Sequence, residues 1–193
     1  MSELAAIIRN SILPVPPALP LAAANLIDIA GGVPTRHAID TLGRNRQEHT
    51  NWCWAAAAVA INEHYRTQNP ATPSRRQCDV VNHQYPGNEC CTNGGTDACS
   101  DQGYLDKALA FVGHLNPSEP DATPANIRRE IVAGRPVGVR IRTSNGSLHF
   151  VVIRGYSKQR LLAWDPATGG DVDVHISEWP ARIGIWLNTY FTQ

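Results

Sequence analysis

The sequence lacks any long apolar run and any excess of charge. No stretch of its 193 residues approaches the roughly 20 consecutive apolar residues that cross a bilayer. Its 17 basic and 17 acidic side chains cancel, so the charge balance favours neither a nucleic acid nor an anionic membrane as a partner. The length suits one globular domain with a sizeable core. We therefore expect a globular protein with no nucleic-acid and no membrane partner.

The N-terminal segment also lacks the order of a secretory signal peptide. Glu3 precedes any basic residue, and prolines interrupt the apolar stretch between residues 14 and 20. Residues 1–35 are rich in Pro, Ala and Gly and are too short for a second domain. We predict that they form an arm or linker that precedes a single domain, residues 36–193.

Cysteine is scarce, and its count is odd. Of the five cysteines, Cys53 stands alone and the others cluster from Cys78 to Cys99. Four cysteines allow three pairings, but a bond between the neighbours Cys90 and Cys91 needs a strained ring. Two disulfide pairings remain, each joining Cys78 and Cys99 to that adjacent pair. Reduced thiols and a zinc site are the alternatives, although the Cys-x-x-Cys spacing typical of zinc is missing. We expect disulfides, with no metal and no cofactor.

Disulfides would imply that the protein passes through an oxidising compartment. Because the chain shows no signal peptide, this passage would require export by a dedicated secretion system. The expected location is therefore outside the producing cell or inside a target cell.

The most informative stretch of the sequence runs from Gln47 to Ile61. It places Cys53 where a polar turn becomes an apolar helix, which we predict from Asn51 to about Gln68. A helix N-terminus carries about half a positive charge and several unpaired backbone N–H groups. A thiol held there ionises more readily, above all beside a basic group. The sequence therefore predicts an activated cysteine at the start of the first long helix.

The hydrophobic pattern changes its period after Pro136. Before it, a period of 3.6 residues and capping signals predict further helices that begin at Thr72-Pro73, Ser100 and Thr123-Pro124, with a loop over residues 86–99. After it, a period of 2 predicts strands joined by short turns, which form an antiparallel sheet: residues 137–142, 149–155, 160–165, 171–176 and 183–191. The predicted fold class is α+β, with a helical half followed by a sheet half.

A thiolate that attacks a carbonyl group needs a base within hydrogen-bond reach and a group that orients the base. Among the seven histidines, His64 lies too far along the same helix, roughly 16 Å away. His49 is near in sequence, but nothing evident holds its ring. His149 opens an apolar strand, and Asp165 ends the next one. Since neighbouring antiparallel strands place these ends side by side, we predict His149 as the base and Asp165 as its orienting carboxylate.

Several segments of the chain carry a family resemblance. They are Gln47 with Cys53-Trp54-Ala55, residues 91–95, residues 134–139, residues 149–156, and Asp165-Pro166. Together the chain resembles papain-like cysteine peptidases. It is similar to the bacterial branch that includes plant-pathogen effector proteases, interbacterial toxin proteases and double-glycine bacteriocin-processing peptidases. The resemblance implies a papain-like fold with the cysteine on the helical half and the histidine and aspartate on the sheet half.

The resemblance also implies roles for individual residues. Cys53 would be the nucleophile and His149 the base of a thiolate–imidazolium pair, with Asp165 where many relatives use Asn. Gln47 would supply a side-chain N–H to the oxyanion hole, together with the backbone N–H of Cys53. Gly94 and Gly95 resemble the backbone strip that pairs with an extended substrate, while a simple turn accounts for them equally well.

Two features depart from the plant-type members. Thr50 stands where those enzymes carry a cysteine three residues before the nucleophile, so their disulfide pattern does not transfer. Residues 1–46 are too short for their inhibitory pro-segment. A separate inhibitor or immunity protein is therefore the expected means of control.

The function that the resemblance implies is that of a cysteine endopeptidase with a protein substrate. It would be a secreted bacterial effector or interbacterial toxin, cleaving after small residues such as Gly-Gly by analogy with the double-glycine peptidases. A deamidase or acyltransferase that uses the same residues is the first alternative. A catalytically inactive, disulfide-stapled interaction module is the second, and it is weaker because no catalytic position is replaced.

Overall fold

The computed structural model describes residues 33–118 and 122–193, which form a layer of helices followed by an antiparallel sheet. The helices are α1 (Cys53–Gln68), α2 (Gln77–Gln84), α3 (Cys90–Asn93), α4 (Leu105–Val112), α5 (Pro124–Val132) and α6 (Trp179–Arg182), with 3₁₀ turns at Asp97–Cys99 and Ile176–Glu178. The strands are β1 (Arg36–Ala38), β2 (Val137–Arg142), β3 (Leu148–Ser157), β4 (Arg160–Asp165), β5 (Gly170–His175) and β6 (Ile185–Tyr190). The predicted α+β fold class is confirmed.

Helix α1 is buried on nearly every side because many of its side chains are small. Ala55, Ala57 and Ala60 have no exposed surface, and α1 packs against α2, α4 and β3. A helix that is apolar all round belongs in the interior of a domain. Burial of α1 carries its first residue, Cys53, into the protein, where it is 4% exposed.

The sheet has the strand order β5-β4-β3-β2-β6, and β1 also pairs with β3. All these pairs are antiparallel. Strand β3 lies in the middle and separates two apolar clusters. Phe150 and Val152 belong to the cluster that contains α1, whereas Val151 and Ile153 belong to the cluster that contains α5. Successive strand residues point to opposite faces, so the sheet has a core on both faces.

The predicted start of the second helix at Thr72-Pro73 is wrong. Helix α2 begins at Gln77, and Arg76 occupies its N-cap position. The backbone N–H of Arg76 donates to Asp79 Oδ2 at 2.9 Å, and its guanidinium group pairs with the same carboxylate. This cap depends on an acidic side chain one turn into the helix rather than on a Ser or Thr.

The predicted third helix also begins later than Ser100. Helix α4 starts at Leu105, and its N-cap residue Tyr104 donates its backbone N–H to Gln84 Oε1 at 2.9 Å. The segment predicted as a loop over residues 86–99 contains α3 and a 3₁₀ turn. Side chains from α2 determine these boundaries, so local sequence does not reveal them. The cap of α5 is as predicted, since Thr123 Oγ1 accepts the N–H of Asn126 at 3.2 Å.

The predicted N-terminal arm, residues 1–35, lies outside the described residues except for residues 33–35. The Tyr156 hydroxyl donates to the Pro34 carbonyl oxygen at 2.7 Å, and β1 follows directly and pairs with the end of β3. The division of the chain at residue 35 stays a prediction. No helix within the described residues is long and apolar enough to cross a membrane.

Two buried histidine rings flank Tyr65 in the helical half. His64 Nδ1 accepts from the Thr41 hydroxyl at 2.6 Å, and its Nε2 donates to the Gly134 carbonyl oxygen at 2.6 Å. His114 donates to the Gln193 carbonyl oxygen at 3.0 Å and stacks on Tyr65. Burial lowers the pKa of both rings. Both histidines are therefore neutral parts of the core, and His64 is too engaged to serve as a base.

We expect the free energy of unfolding to fall as the pH drops below 6.5, the ordinary pKa of histidine. There the unfolded chain binds protons that the folded protein excludes. His114→Phe keeps a ring against Tyr65 but removes a titrating group, so it should reduce this pH dependence. Urea unfolding between about pH 5 and 7.5 measures it. His175→Phe, at a half-buried position outside the apolar core, is the control. An unchanged slope in His114→Phe would contradict the expectation.

Candidate active site

Cys53 is the free cysteine of the described chain, and it is the first residue of α1. Its sulfur therefore lies at the positive end of the helix, near unpaired backbone N–H groups. We call residues 46–52, which lead into it, the Cys53 loop. Asn51 in this loop adopts a left-handed φ of 65°, and its side chain donates to the Ser100 carbonyl oxygen at 2.6 Å. The sharp turn before Cys53 is thus fixed from outside the loop.

The side chains of His149 and Asp165 meet between β3 and β4. His149 Nε2 lies 2.6 Å from Asp165 Oδ1. Because Asp165 engages Nε2, Nδ1 is the ring nitrogen left to interact with Cys53, which also acts on the pKa of the ring. Burial lowers the pKa of His149, but hydrogen bonds and charges from Asp165 and Cys53 outweigh it and raise the pKa to about 9. The ring is therefore held as an imidazolium at neutral pH.

Asp165 remains a carboxylate although it is partly buried. Burial acts to raise its pKa, but the hydrogen bond and charge of His149 lower it below its ordinary value. The backbone N–H of Ala167 adds a second hydrogen bond to Oδ1 at 2.8 Å. The directions of the two pKa shifts agree, so His149 and Asp165 form a charged pair in a partly desolvated place.

Gln47 is brought to the same end of the sheet by its backbone. Its N–H donates to the carbonyl oxygen of Pro166, the residue after Asp165, at 2.9 Å. Its side-chain Nε2 donates to the His49 carbonyl oxygen at 2.9 Å. An amide nitrogen carries two hydrogens, so one remains for another acceptor. The role of Gln47 in an oxyanion hole stays a prediction.

Gln77 is a residue that the sequence analysis missed. It is 2% exposed at the start of α2, and its amide bonds the backbone on both sides of Gln47. Nε2 donates to the Arg46 carbonyl oxygen at 2.9 Å, and Oε1 accepts the N–H of Glu48 at 3.0 Å. These bonds hold Gln47 in place. A polar residue at a helix start is too common a signal to have identified it.

The structure contains one of the two disulfide pairings that the sequence left open. Cys78 bonds Cys91, and Cys90 bonds Cys99. These sulfurs are therefore not free thiolates for a zinc ion. The Cys99 carbonyl oxygen accepts the indole N–H of Trp52 at 2.6 Å. The disulfide-linked segment thus supports the residue that immediately precedes Cys53.

Gly94 and Gly95 directly follow α3. They line a cavity together with His49 of the Cys53 loop. The segment therefore lies against the loop. The role of the two glycines in holding an extended substrate stays a prediction.

A family model described as the Peptidase_C39 like family matches residues 39–192. The match covers most of the chain and includes every candidate site residue. The chain belongs to the Peptidase_C39 like family. It is a papain-like cysteine peptidase, and the resemblance inferred from the sequence is confirmed.

Two solved structures are similar to this C39-like peptidase. One, described as a C39-like peptidase from Bacillus anthracis, is 15% identical, covers 82% of this chain and 98% of its own, and has a TM-score of 0.54. At that identity the likeness shows the fold alone. The other, the Pseudomonas avirulence protein AvrPphB, is 11% identical over 74% of this chain and 92% of its own, with a TM-score of 0.34 that is too low to support an inference. No curated protein matches the sequence significantly.

The pKa of the His149 ring provides a test of this geometry. In Asp165→Asn, we expect it to fall below about 9, because the charge that opposes the effect of burial is lost. An NMR titration of the ring resonances measures the change. Asp173→Asn, which disrupts an exposed pair with Arg160, is the matched control. A His149 pKa that stays at about 9 in Asp165→Asn would contradict the assignment.

The support of the Cys53 loop by the disulfides leads to a second prediction. The Cys90–Cys99 bond spans 9 residues, and its removal by the double substitution Cys90→Ser and Cys99→Ser should lower the free energy of unfolding by about 2–3 kcal/mol. Because the Cys99 carbonyl group is then less fixed, the Trp52 indole proton should exchange faster in hydrogen-exchange NMR. Cys53→Ser, which keeps both disulfides, is the control. Unchanged indole exchange would show that the disulfide does not support the loop.

Proposed function

We propose that this peptidase is a cysteine endopeptidase in which Cys53 is the nucleophile, His149 the proton carrier and Asp165 the group that orients His149. The observation that carries the proposal is the hydrogen-bonded pair of His149 and Asp165, in which the His149 ring is influenced by the Cys53 thiol at the N-terminus of α1. The His149 pKa of about 9 supports a resting state in which the ring beside Cys53 is an imidazolium.

The proposed reaction follows from these positions. The Cys53 thiolate attacks the peptide carbonyl carbon, and the carbonyl oxygen becomes an oxyanion. The backbone N–H of Cys53 and the free side-chain hydrogen of Gln47 stabilise that charge. His149 then gives its proton to the leaving amine, and a thioester remains on Cys53. His149, now neutral, takes a proton from a water molecule that attacks the thioester, which releases the acid and restores the pair.

Asp165 contributes through charge as well as orientation. A carboxylate beside the ring favours the imidazolium more strongly than a neutral amide does. The pair should therefore persist into mildly alkaline solution. Peptidase activity should decline as the pH rises above about 9, since His149 then lacks the proton for the leaving group.

We further propose that the protein acts as a secreted effector or interbacterial toxin on specific target proteins. The two disulfides support passage through an oxidising compartment. Cleavage after small residues such as Gly-Gly rests on the analogy with double-glycine peptidases. Control would come from a cognate inhibitor or immunity protein.

The same three side chains also suit a deamidase or an acyltransferase. Both reactions pass through a thioester on the cysteine, and they differ in the acceptor that releases it. The intact mass of a target protein separates them: peptide cleavage gives fragments, deamidation adds about one dalton, and acyl transfer adds a group. An inactive interaction module would show no selective modification of Cys53 by iodoacetamide at mildly acidic pH.

The central test is N-terminal profiling of proteins from cells exposed to the wild type or to Cys53→Ala. New N-termini should appear with the wild type and be absent with Cys53→Ala, and their flanking residues give the cleavage motif. His149→Ala should lower kcat/KM by at least about 10⁴-fold. His175→Ala, at a half-buried histidine bonded to Ser177 and Gln159, is the matched control. The same N-termini with Cys53→Ala would refute the proposal.

A further inference from the structure

A cavity of about 330 Å³ opens between the Cys53 loop and the segment that follows α3. His49 forms part of its wall on the loop side. Thr92, Asn93, Gly94 and Gly95 form part of the opposite wall. The reaction described above uses none of the side chains in this cavity.

The ring of His49 is held in place from two sides. It packs edge-on against Trp52, with the ring centroids 4.5 Å apart at an interplanar angle of 68°. On its other side lies Gly94, where a Cβ atom would be 2.4 Å from His49 Nε2. Contacts that short do not occur between real atoms, so any larger residue at position 94 would displace the ring.

The backbone at Gly94 does not itself require a glycine. Its φ of −57° and ψ of −23° are ordinary right-handed values that any residue adopts. Two neighbours leave no room for a side chain at position 94: the ring of His49, and the Cys90 carbonyl oxygen, which would lie 2.9 Å from a Cβ atom. At Gly95 the space is open, since a Cβ atom there would meet only His49 Nδ1 at 3.9 Å. The two glycines therefore have different roles.

The nitrogens of this fixed ring are not used within the protein. His64, His114, His149 and His175 all form ring hydrogen bonds. In the ranges that the structure describes, neither ring nitrogen of His49 has a hydrogen-bond partner. The ring is only partly exposed, and packing alone would be served equally well by an apolar ring. The two ring nitrogens of His49 are therefore available to a ligand in the cavity.

His49 is also joined to the reacting residues. Its carbonyl oxygen accepts both the side chain of Gln47 at 2.9 Å and the backbone N–H of Trp52 at 3.3 Å. Trp52 directly precedes Cys53. A substrate side chain in the cavity would therefore lie beside the segment of the protein backbone that leads to Cys53.

We infer that the cavity is a substrate subsite and that His49 is its specificity-determining residue. The subsite takes a peptide side chain that ends in a hydrogen-bond acceptor oxygen: Asn, Gln, Asp or Glu. The cavity wall offers donors to such an oxygen from His49, Arg76, Thr92 and Asn93. Arg76 already pairs with Asp79, and Glu48 lies at the same wall, so the site does not require a charged substrate. The inference rests on the proposed function and adds a substrate preference to it.

The test uses His49→Phe in the full chain. Phenylalanine keeps a ring between Trp52 and Gly94 but has no nitrogen. Wild type and variant digest a peptide library derived from a proteome, and the position in the cleaved peptides at which Asn, Gln, Asp or Glu is enriched is identified. The value of kcat/KM is then measured for matched peptides that carry Gln, Glu or Leu at that position. We expect the wild type to favour Gln or Glu over Leu and His49→Phe to lose about 10-fold of that preference through KM. The Gln and Glu peptides show whether charge contributes.

His83→Phe is the matched control, because His83 stacks on Phe111 at another surface. It should keep the wild-type preference. An equal loss on all three peptides in His49→Phe would show that the ring has only a structural role and would overturn the inference. An unchanged preference would overturn it as well.

A second pair of variants tests the position of the ring independently. Gly94→Ala should lower activity and selectivity because the methyl group displaces His49. Adding His49→Ala removes the clash with the ring and leaves only the close approach to the Cys90 carbonyl oxygen, so the double variant should regain part of the activity without selectivity. Additive effects of the two substitutions would contradict the contact. If Cys53→Ala abolishes cleavage but the His49 and Gly94 variants keep the wild-type selectivity, the subsite inference alone fails. If Cys53→Ala still cleaves, the proposed function itself is refuted.

Discussion

The position of Cys53 depends on how the loop before it is held. Three separate parts of the chain bond to this loop: the Gln77 amide, the carbonyl groups of Cys99 and Ser100, and the carbonyl group of Pro166. Each hydrogen bond is modest alone. Together they connect the helical half, the disulfide-linked segment and the sheet at the place where a substrate carbonyl group would be attacked. Catalytic groups need positions fixed to a fraction of an ångström, and this loop has few internal bonds that could supply that precision.

His149 and Asp165 are both charged although burial opposes each charge. The two groups lie in a partly desolvated region, yet the hydrogen bond of 2.6 Å between them keeps them ionised. Because water is partly excluded, these two charges interact more strongly than on the surface. An Asp in place of the Asn of many relatives adds a negative charge to this arrangement. The site therefore holds its proton on His149 more tightly than an amide partner would allow.

Site residues that stand at a local change in the hydrophobic pattern could be predicted from the sequence. Cys53 stands at a change from polar turn to apolar helix, and His149 and Asp165 stand at the ends of adjacent strands, so periodicity and the chemical needs of a thiolate together indicated them. Gln77 and the seat of His49 against Gly94 could not be found in this way, since they depend on contacts between distant segments. The predicted start of α4 was wrong for the same reason, since its cap involves Gln84 of α2. The predicted start of α2 was wrong for a local reason: Arg76 caps it through Asp79, in place of the Thr-Pro signal upstream.

The odd number of cysteines has a consequence for how the chain matures. Two bonds can be drawn among five thiols in 5 × 3 = 15 ways, because any of the five can be left out and the other four pair in three ways. Only one of these arrangements leaves Cys53 reduced with the observed partners. Packing of α1 withdraws the Cys53 sulfur from solvent, so it protects this thiol from oxidation as soon as the helix is buried. Burial of α1 before oxidation therefore favours the arrangement in which Cys53 stays reduced.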